Sequence, residues 1–225
     1  MDYSNYFMNP HEKAHQKEWD IFEQKELPSL LYAKNQMVYW QGEEAVRFYY
    51  LKEGTVRIFL SSEDGAEKTI SILKPGSVFG EASFFDGLPR VSSAKTLEKS
   101  KIIAIGQKEL LTLFGEHPNL AMTMLGYLAK TVRMLSAQVD HMAFLQADQR
   151  LAQLLISLAE NRKVFSTHEE LASLVGVSRV TVSKLIGKFV KNGWIATGYG
   201  YLELLDEEQL KKFGFFQKEK SKYRL

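Results

Sequence analysis

The chain has 225 residues, 45% of them hydrophobic and 25% charged, with 29 Lys and Arg, 27 Asp and Glu, and a formal net charge of +2. This length allows one large or two modest domains with ordinary apolar cores. The absence of cysteine excludes disulfides, cysteine nucleophiles and cysteine-ligated metals, including an iron–sulfur cluster. No apolar run reaches the length of a membrane span, and Met1–Glu18 is too polar for a secretory signal, so we expect a cytoplasmic protein.

Short segments rich in aromatic and β-branched residues follow one another between Gln36 and Ile105. The segments are Met37–Trp40, Phe48–Leu51, Thr55–Leu60, Lys68–Leu73 and Ile102–Ile105. Turn residues separate them, and Asp64-Gly65 between two alternating segments is a strong β-hairpin signal. Short strands at this spacing predict a β-sandwich or barrel.

Helical patterns begin after Gly106. Lys108–Phe114 predicts a short helix that Gly115 and Pro118 would end. A longer pattern then repeats apolar residues at spacings of four and three: Ala121, Leu125, Leu128, Val132, Leu135, Val139 and Met142. This narrow seam predicts a self-associating coiled coil, and a core helix packed on its own domain is the alternative.

The next helix is predicted over Gln149–Glu160, with Asp148 as its N-cap. A domain boundary and hinge therefore fall near Phe144–Asp148. The predicted organisation is a β-rich domain over residues 1–117, a dimerisation helix over 118–146 and a third domain over 147–225.

Two helices joined by a tight turn are predicted within Ser166–Trp194. Thr167 and Glu170 have the spacing of a capping box, and Ser178 can cap the second helix. Gly176 tolerates the left-handed backbone that the turn requires. Strand-like segments on either side of Thr197–Gly200 add the wing of a winged helix-turn-helix, and an ordinary helical hairpin is the alternative.

The outer face of the second helix suits double-stranded DNA. Arg179 can bond guanine, while Lys184 and Lys188 can neutralise phosphates. Val180 cannot accept a hydrogen bond, so it would contact a thymine methyl group or act sterically. The predicted DNA-contacting residues are Thr167, His168, Ser178, Arg179, Val180, Thr181, Ser183, Lys184 and Lys188.

Local charge agrees with a polyanionic partner. No acidic residue lies between Glu170 and Glu203, and from Ala147 onward 13 Lys and Arg accompany 9 Asp and Glu. A solvated surface helix would have a similar composition, so charge alone does not decide.

With these elements in this order, residues 34–205 resemble the cyclic-AMP receptor protein / fumarate-nitrate regulator (Crp/Fnr) family. Phe79-Gly-Glu81 followed by Asp86–Arg90 is similar to the family's phosphate-binding cassette, and Val177–Leu185 is similar to its recognition helix. The resemblance implies an α+β fold: an N-terminal cyclic-nucleotide-binding β-roll (a double-stranded β-helix or jelly roll), a long dimerisation helix and a C-terminal winged helix-turn-helix.

The resemblance also implies a function and a set of residues. The protein would be a homodimeric, non-enzymatic transcriptional regulator that binds a palindromic operator, with RNA polymerase as a candidate partner. The dimer interface would contain Leu125, Leu128, Val132, Leu135, Val139 and Met142. The effector-binding residues would be Gly80, Glu81, Ala82, Arg90, Val91, Ser92, Leu135 and Ser136.

In this family the cassette Glu bonds a ribose hydroxyl and the Arg pairs with the cyclic phosphate, roles that fall on Glu81 and Arg90. An internal Glu81–Arg90 ion pair is the structural alternative. Val91 replaces the usual hydroxyl residue, and Leu135 stands where an adenine-reading Thr is expected. The candidates are therefore cyclic AMP, another small anionic or aromatic effector, or no effector.

Three other interpretations are less well supported by the sequence. The only close pair of histidines, His11 and His15, lies in a polar N-terminal tail rather than in a metal-site pattern. There is no nucleophile–base constellation or glycine-rich nucleotide loop before a helix, so an enzyme is not expected. A cyclic-nucleotide-binding module that acts through a protein partner, with a degenerate helix-turn-helix, is the remaining rival.

Overall fold

A computed structural model describes residues 19, 21–24, 27–63 and 65–215. The described residues form two compact units, divided between Ser136 and Ala137. We call these the N-terminal unit and the C-terminal unit. His11, His15 and Asp64 lie outside the described residues.

Antiparallel strands make up most of the N-terminal unit. They are β1 (Ser29–Tyr32), β2 (Met37–Tyr39), β3 (Arg47–Glu53), β4 (Val56–Ser61), β5 (Glu67–Leu73), β6 (Ser77–Phe79), β7 (Ser93–Thr96) and β8 (Ser100–Gly106). They form two four-stranded sheets with the orders β1-β8-β3-β6 and β2-β7-β4-β5. All five predicted strand segments are confirmed, whereas β1, β6 and β7 were not predicted.

Two apolar clusters hold the sheets in place. Between the sheets, Leu51 and Ile102 of one meet Val56 and Ala94 of the other. On the opposite face of β3, Phe48 packs against the helices of this unit. Because successive strand residues point to opposite faces, β3 contributes to both clusters and is buried on both sides.

The helices that accompany these strands in the described part of the chain are α1 (Ile21–Gln24), α2 (Glu81–Asp86), α3 (Gln107–Glu116) and α4 (Asn119–Phe144), and α4 continues past Ser136 into the C-terminal unit. The predicted end of α3 at Phe114 is wrong by two residues, because the helix continues through Gly115 to Glu116 and His117 is its C-cap. An exposed helical glycine costs only about 1 kcal/mol, so it does not by itself end a helix. The 26-residue α4 confirms the predicted long helix.

The C-terminal unit contains the predicted winged helix-turn-helix. Its elements are α5 (Ala147–Leu158), β9 (Lys163–Val164), α6 (His168–Val175), α7 (Arg179–Lys191), β10 (Ile195–Gly198), β11 (Tyr201–Leu204) and α8 (Glu207–Phe215). The three strands form an antiparallel sheet in the order β10-β11-β9. The strand β9 and the helix α8 were not predicted.

The predicted cap and end of the first helix of this unit are wrong. Gln146, not Asp148, is the N-cap of α5, and the helix ends at Leu158 rather than Glu160. Asp148 lies inside the first turn, where its carboxylate accepts a hydrogen bond from Lys188 Nζ at 2.7 Å. Glu160 instead forms an antiparallel bridge with Lys163, which turns the chain into β9.

Candidate nucleic-acid interface and effector cavity

The turn between α6 and α7 is fixed by local backbone chemistry. Thr167 Oγ1 accepts a hydrogen bond from the Glu170 amide at 3.2 Å, and Glu170 accepts one from the Thr167 amide at 2.8 Å. Gly176, with φ of 78°, ends α6 in the left-handed region. Ser178 then caps α7 by accepting from the Thr181 amide at 3.1 Å. The predicted caps and turn of the helix-turn-helix are confirmed.

The two faces of α7 differ as the sequence predicts. Val182, Ile186 and Phe189 are buried in the core, and Leu185 is half-buried. Facing solvent are Ser178, Arg179, Val180, Ser183, Lys184 and Lys188, whereas Thr181 is half-buried. An unobstructed polar face next to a short capped turn is what a recognition helix needs to enter a major groove.

Several side chains predicted to contact DNA already bond one another. Nδ1 of His168 lies 2.8 Å from Oγ of Ser183, which also donates to the Arg179 carbonyl at 3.1 Å. The hydroxyls of Ser178 and Thr181 are 2.9 Å apart. The His168–Ser183 contact joins α6 to α7, a role that the sequence alone did not indicate, whereas the other two bonds lie within α7 and its cap.

The β10–β11 hairpin forms the predicted wing, with Tyr199 fully exposed in its turn. Between the wing and the start of α6 lies a cavity of about 350 Å³, lined by residues that include Thr167, His168 and Tyr201. The ammonium of Lys163 sits 4.6 Å from the centre of the Tyr201 ring. The wing and the helix-turn-helix therefore flank a common recess.

A second cavity, of about 280 Å³, lies in the N-terminal unit. It is lined by seven of the eight predicted effector residues: Gly80, Glu81, Ala82, Arg90, Val91, Ser92 and Leu135. Ser136 is exposed and does not line the cavity. Most of the remaining wall is apolar, with Ile58, Leu60 and Ile70 among its residues.

Arg90 is the cavity's fixed positive group. Its guanidinium donates to the carbonyl oxygens of Gly80 at 2.6 Å and Arg47 at 2.5 Å and lies 4.3 Å from the centre of the Tyr39 ring. It is 4% exposed, and its Nε has no hydrogen-bond partner in the described part of the chain. A Cβ on Gly80 (φ 75°) would lie 2.7 Å from Arg90 Nη1, so this position requires glycine.

Glu81 begins α2 beside this guanidinium but forms no ion pair with it among the described residues. The carboxyl is buried, and burial raises its pKa to about 7, although its backbone hydrogen bond and Arg90 both oppose that rise. The alternative of an internal Glu81–Arg90 ion pair is therefore wrong. Arg90 is held by backbone carbonyls and aromatic rings instead.

The cavity wall contributed by α4 was mostly missed from the sequence. Tyr127, Thr131 and Met134 line the cavity together with the predicted Leu135. Tyr127 Oη donates to the Val78 carbonyl at 2.5 Å, and burial raises the pKa of the Tyr127 phenol well above its usual value. Because Tyr127 and Thr131 precede Leu135 by eight and four residues, helical spacing could have indicated them.

The predicted dimerisation seam of α4 is largely uncovered in the single chain. Leu125, Val132, Leu135, Val139 and Met142 are exposed, and Leu128 is half-buried. A different face of the same helix carries the buried Leu120, Met124 and Tyr127. Exposure of a row of apolar side chains to water raises the free energy of the chain, so burial of this row against another helix is favoured.

Among the described residues, no group of three or more His, Asp or Glu side chains could hold a metal ion. None of the described helices combines the length and apolar character needed to cross a membrane.

Comparison with known proteins agrees with this geometry. Residues 30–117 match the cyclic nucleotide-binding domain family, and residues 149–213 match the Crp-like helix-turn-helix domain family. The chain is 30% identical over 188 residues to the cyclic AMP receptor protein of Thermus thermophilus, covering 82% of this chain and 87% of that protein. It is 31% identical over 196 residues to a CRP-like cAMP-activated global transcriptional regulator of Mycobacterium tuberculosis, with 83% and 88% covered.

Solved structures give the same result. A CRP-family transcriptional regulator from Thermus thermophilus superposes with a TM-score of 0.67 at 26% identity, covering 82% of this chain and 96% of that one. The c-di-GMP-responsive regulator CLP of Xanthomonas campestris reaches a TM-score of 0.74 over 83% of this chain and 98% of that one. At 20% identity, the second likeness supports the fold alone.

Proposed function

We propose that this chain, which belongs to the Crp/Fnr family of transcriptional regulators, binds a palindromic operator as a homodimer under the control of a small effector in the 280 Å³ cavity. The observation that carries the proposal is the buried guanidinium of Arg90 in a cavity of ligand size, on the same chain as an exposed recognition helix. Cavities of a few hundred Å³ are typical of small-molecule sites.

The chemistry of the cavity limits the effector. A buried charge is costly unless it is paired, and no carboxylate of the described residues pairs with Arg90. A compact anion next to Arg90 would supply that pairing. The apolar remainder of the wall, including Ile58 and Leu135, suits a planar or aliphatic body. Cyclic nucleotides and small aromatic acids share these two features.

Calorimetry and thermal-shift measurements with cyclic AMP, cyclic GMP and small aromatic acids test the effector. We expect saturable binding of one class by the wild-type protein and at least a tenfold loss in Arg90→Lys, because an ammonium cannot reproduce the fixed fork of a guanidinium. Arg179→Ala, a change in the C-terminal unit, should bind the effector normally. Equal binding by wild type and Arg90→Lys would refute the role of Arg90.

The control of DNA binding has its own test. Fluorescence anisotropy with a labelled operator measures the affinity for DNA, which should change when the effector identified by calorimetry is added. The effector can cause this change only if it binds the DNA-binding state and the inactive state with different affinities. A two-fold dimer predicts half-sites about 34 Å apart, one helical turn. The affinity should also fall steeply with salt, whereas a regulator that acts only through a protein partner would show no such binding.

A further inference from the structure

The 280 Å³ cavity of the N-terminal unit contains one cation and one carboxyl group, Arg90 and Glu81. Both residues are buried, with 4% and 6% of their surface exposed. The other described residues of the wall are aliphatic, aromatic, methionine, glycine, serine and threonine. Because a net charge is costly in an apolar space, the charge of each of these two groups depends on the other and on any ligand in the cavity.

An anion in this cavity changes its charge balance. Without a ligand, an ionised Glu81 balances Arg90 and the sum is zero. With a singly charged anion, the sum is zero only when Glu81 is protonated, and an ionised Glu81 would leave a net negative charge. Two anions that share a buried site repel each other, which favours the protonated form of a carboxyl group. Binding of an anion should therefore draw a proton onto Glu81.

Glu81 has charged or titratable neighbours on the elements around it: Arg90 after α2, Tyr39 on β2, Tyr49 on β3 and Tyr127 on α4. Burial raises the pKa of the Tyr39 and Tyr127 phenols above their ordinary value, so both stay neutral near pH 7. A guanidinium does not lose its proton in a protein. Burial also raises the pKa of Glu81 to about 7, so the ligand-free carboxyl can still gain a proton at and above neutral pH.

We propose that an anionic effector enters this cavity with a proton from solvent, which binds to a carboxylate oxygen of Glu81, so that the regulator responds jointly to effector and acidity. This inference rests on the proposed effector cavity and adds its regulation by pH. A protonated carboxyl group can also donate a hydrogen bond to the ligand, whereas a carboxylate can only accept one. Acidic conditions therefore strengthen effector binding, and alkaline conditions weaken it.

Isothermal titration calorimetry counts the protons directly, because each proton taken from the buffer adds that buffer's ionisation enthalpy to the measured heat. The probes are cyclic AMP and benzoate, which both carry a single negative charge between pH 6 and pH 8. Each is titrated at pH 6, 7 and 8 in two buffers of different ionisation enthalpy. The proteins are the wild type, Glu81→Gln and the matched control Glu44→Gln, which makes the same change at an exposed glutamate of the same unit.

For a probe that binds, we expect uptake of about half a proton at pH 7 and nearly one at pH 8, with binding about tenfold weaker at pH 8 than at pH 6. Glu44→Gln should reproduce both results. Glu81→Gln should take up no proton and show no such trend with pH. Because the protons are counted on the wild type, this test holds even if Glu81→Gln does not fold.

The possible outcomes separate this inference from the proposed function. Binding by the wild type without proton uptake at pH 8, or equal uptake by Glu81→Gln, would overturn the inference and leave the effector cavity in place. If neither probe binds the wild type at any pH, the proposed control by an anionic effector is itself overturned.

Discussion

The buried carboxyl of Glu81 should make the stability of the N-terminal unit depend on pH. Burial raises its pKa from 4.5 to about 7 in the folded protein, and unfolding returns the carboxyl to water. A raised folded-state pKa gives a stabilising contribution that is complete below about pH 4.5 and is lost as the pH rises through about 7. The separation of the two pKa values corresponds to roughly 3 kcal/mol in the free energy of unfolding.

Glu81→Gln removes the titrating proton and keeps the shape of the side chain. Both proteins would carry Trp194→Phe, so that the remaining described tryptophans, Trp19 and Trp40, report on the N-terminal unit. Urea denaturation followed by tryptophan fluorescence gives the free energy of unfolding at each pH.

Between pH 5 and pH 8 we expect the free energy of unfolding of the wild type to fall by roughly 2–3 kcal/mol relative to that of Glu81→Gln, which is most of the full effect. Subtracting the variant's free energy of unfolding at each pH removes the contribution of every other titrating group. A difference that stays constant across this range would mean that Glu81 titrates near its ordinary value, and the argument from burial would be wrong.

Three further perturbations test the other parts of the structure. Arg179→Ala should weaken operator binding by about 1–3 kcal/mol in anisotropy, and wild-type affinity would exclude a base contact by this guanidinium. Val132→Lys places a charge in the exposed seam of α4 and should shift the protein toward monomer in sedimentation analysis, whereas Arg133→Glu, one residue outside the seam, should not. Tyr127→Phe leaves the buried Val78 carbonyl without its donor and should lower the free energy of unfolding of the N-terminal unit by about 1–3 kcal/mol; an unchanged urea midpoint would contradict that hydrogen bond.

The winged helix-turn-helix could be predicted closely because its signals are local. The Thr167–Glu170 capping box and the left-handed Gly176 each depend on residues within a few positions of one another. The assignment of Asp148 as a cap is wrong because its partner, Lys188, is 40 residues away, and no local pattern indicates that contact. Helix ends that are fixed by nearby residues, such as those of α6, could therefore be predicted, whereas the start of α5 could not.

The cavity was predicted in part for the same reason. Its cassette side is one continuous segment, so Gly80, Glu81 and Arg90 could be assigned by family resemblance. The opposite wall comes from α4, where the Tyr127–Val78 hydrogen bond spans 49 residues. The strand β7 was missed because Ser93-Ala-Lys-Thr96 has little β-propensity and gains its order from pairing with β2 and β4.

Leu135 joins the two functions proposed for α4. It lines the cavity, and it is also 40% exposed in the row of apolar residues assigned to the dimer seam. An effector that packs on Leu135 and a partner helix that packs on the same side chain cannot act independently. By thermodynamic linkage, an effector that strengthens dimerisation by a given factor must itself bind more tightly to the dimer by that factor. Because the Leu135 side chain has neither a donor nor an acceptor, we expect this coupling to depend on apolar packing rather than on recognition of a base.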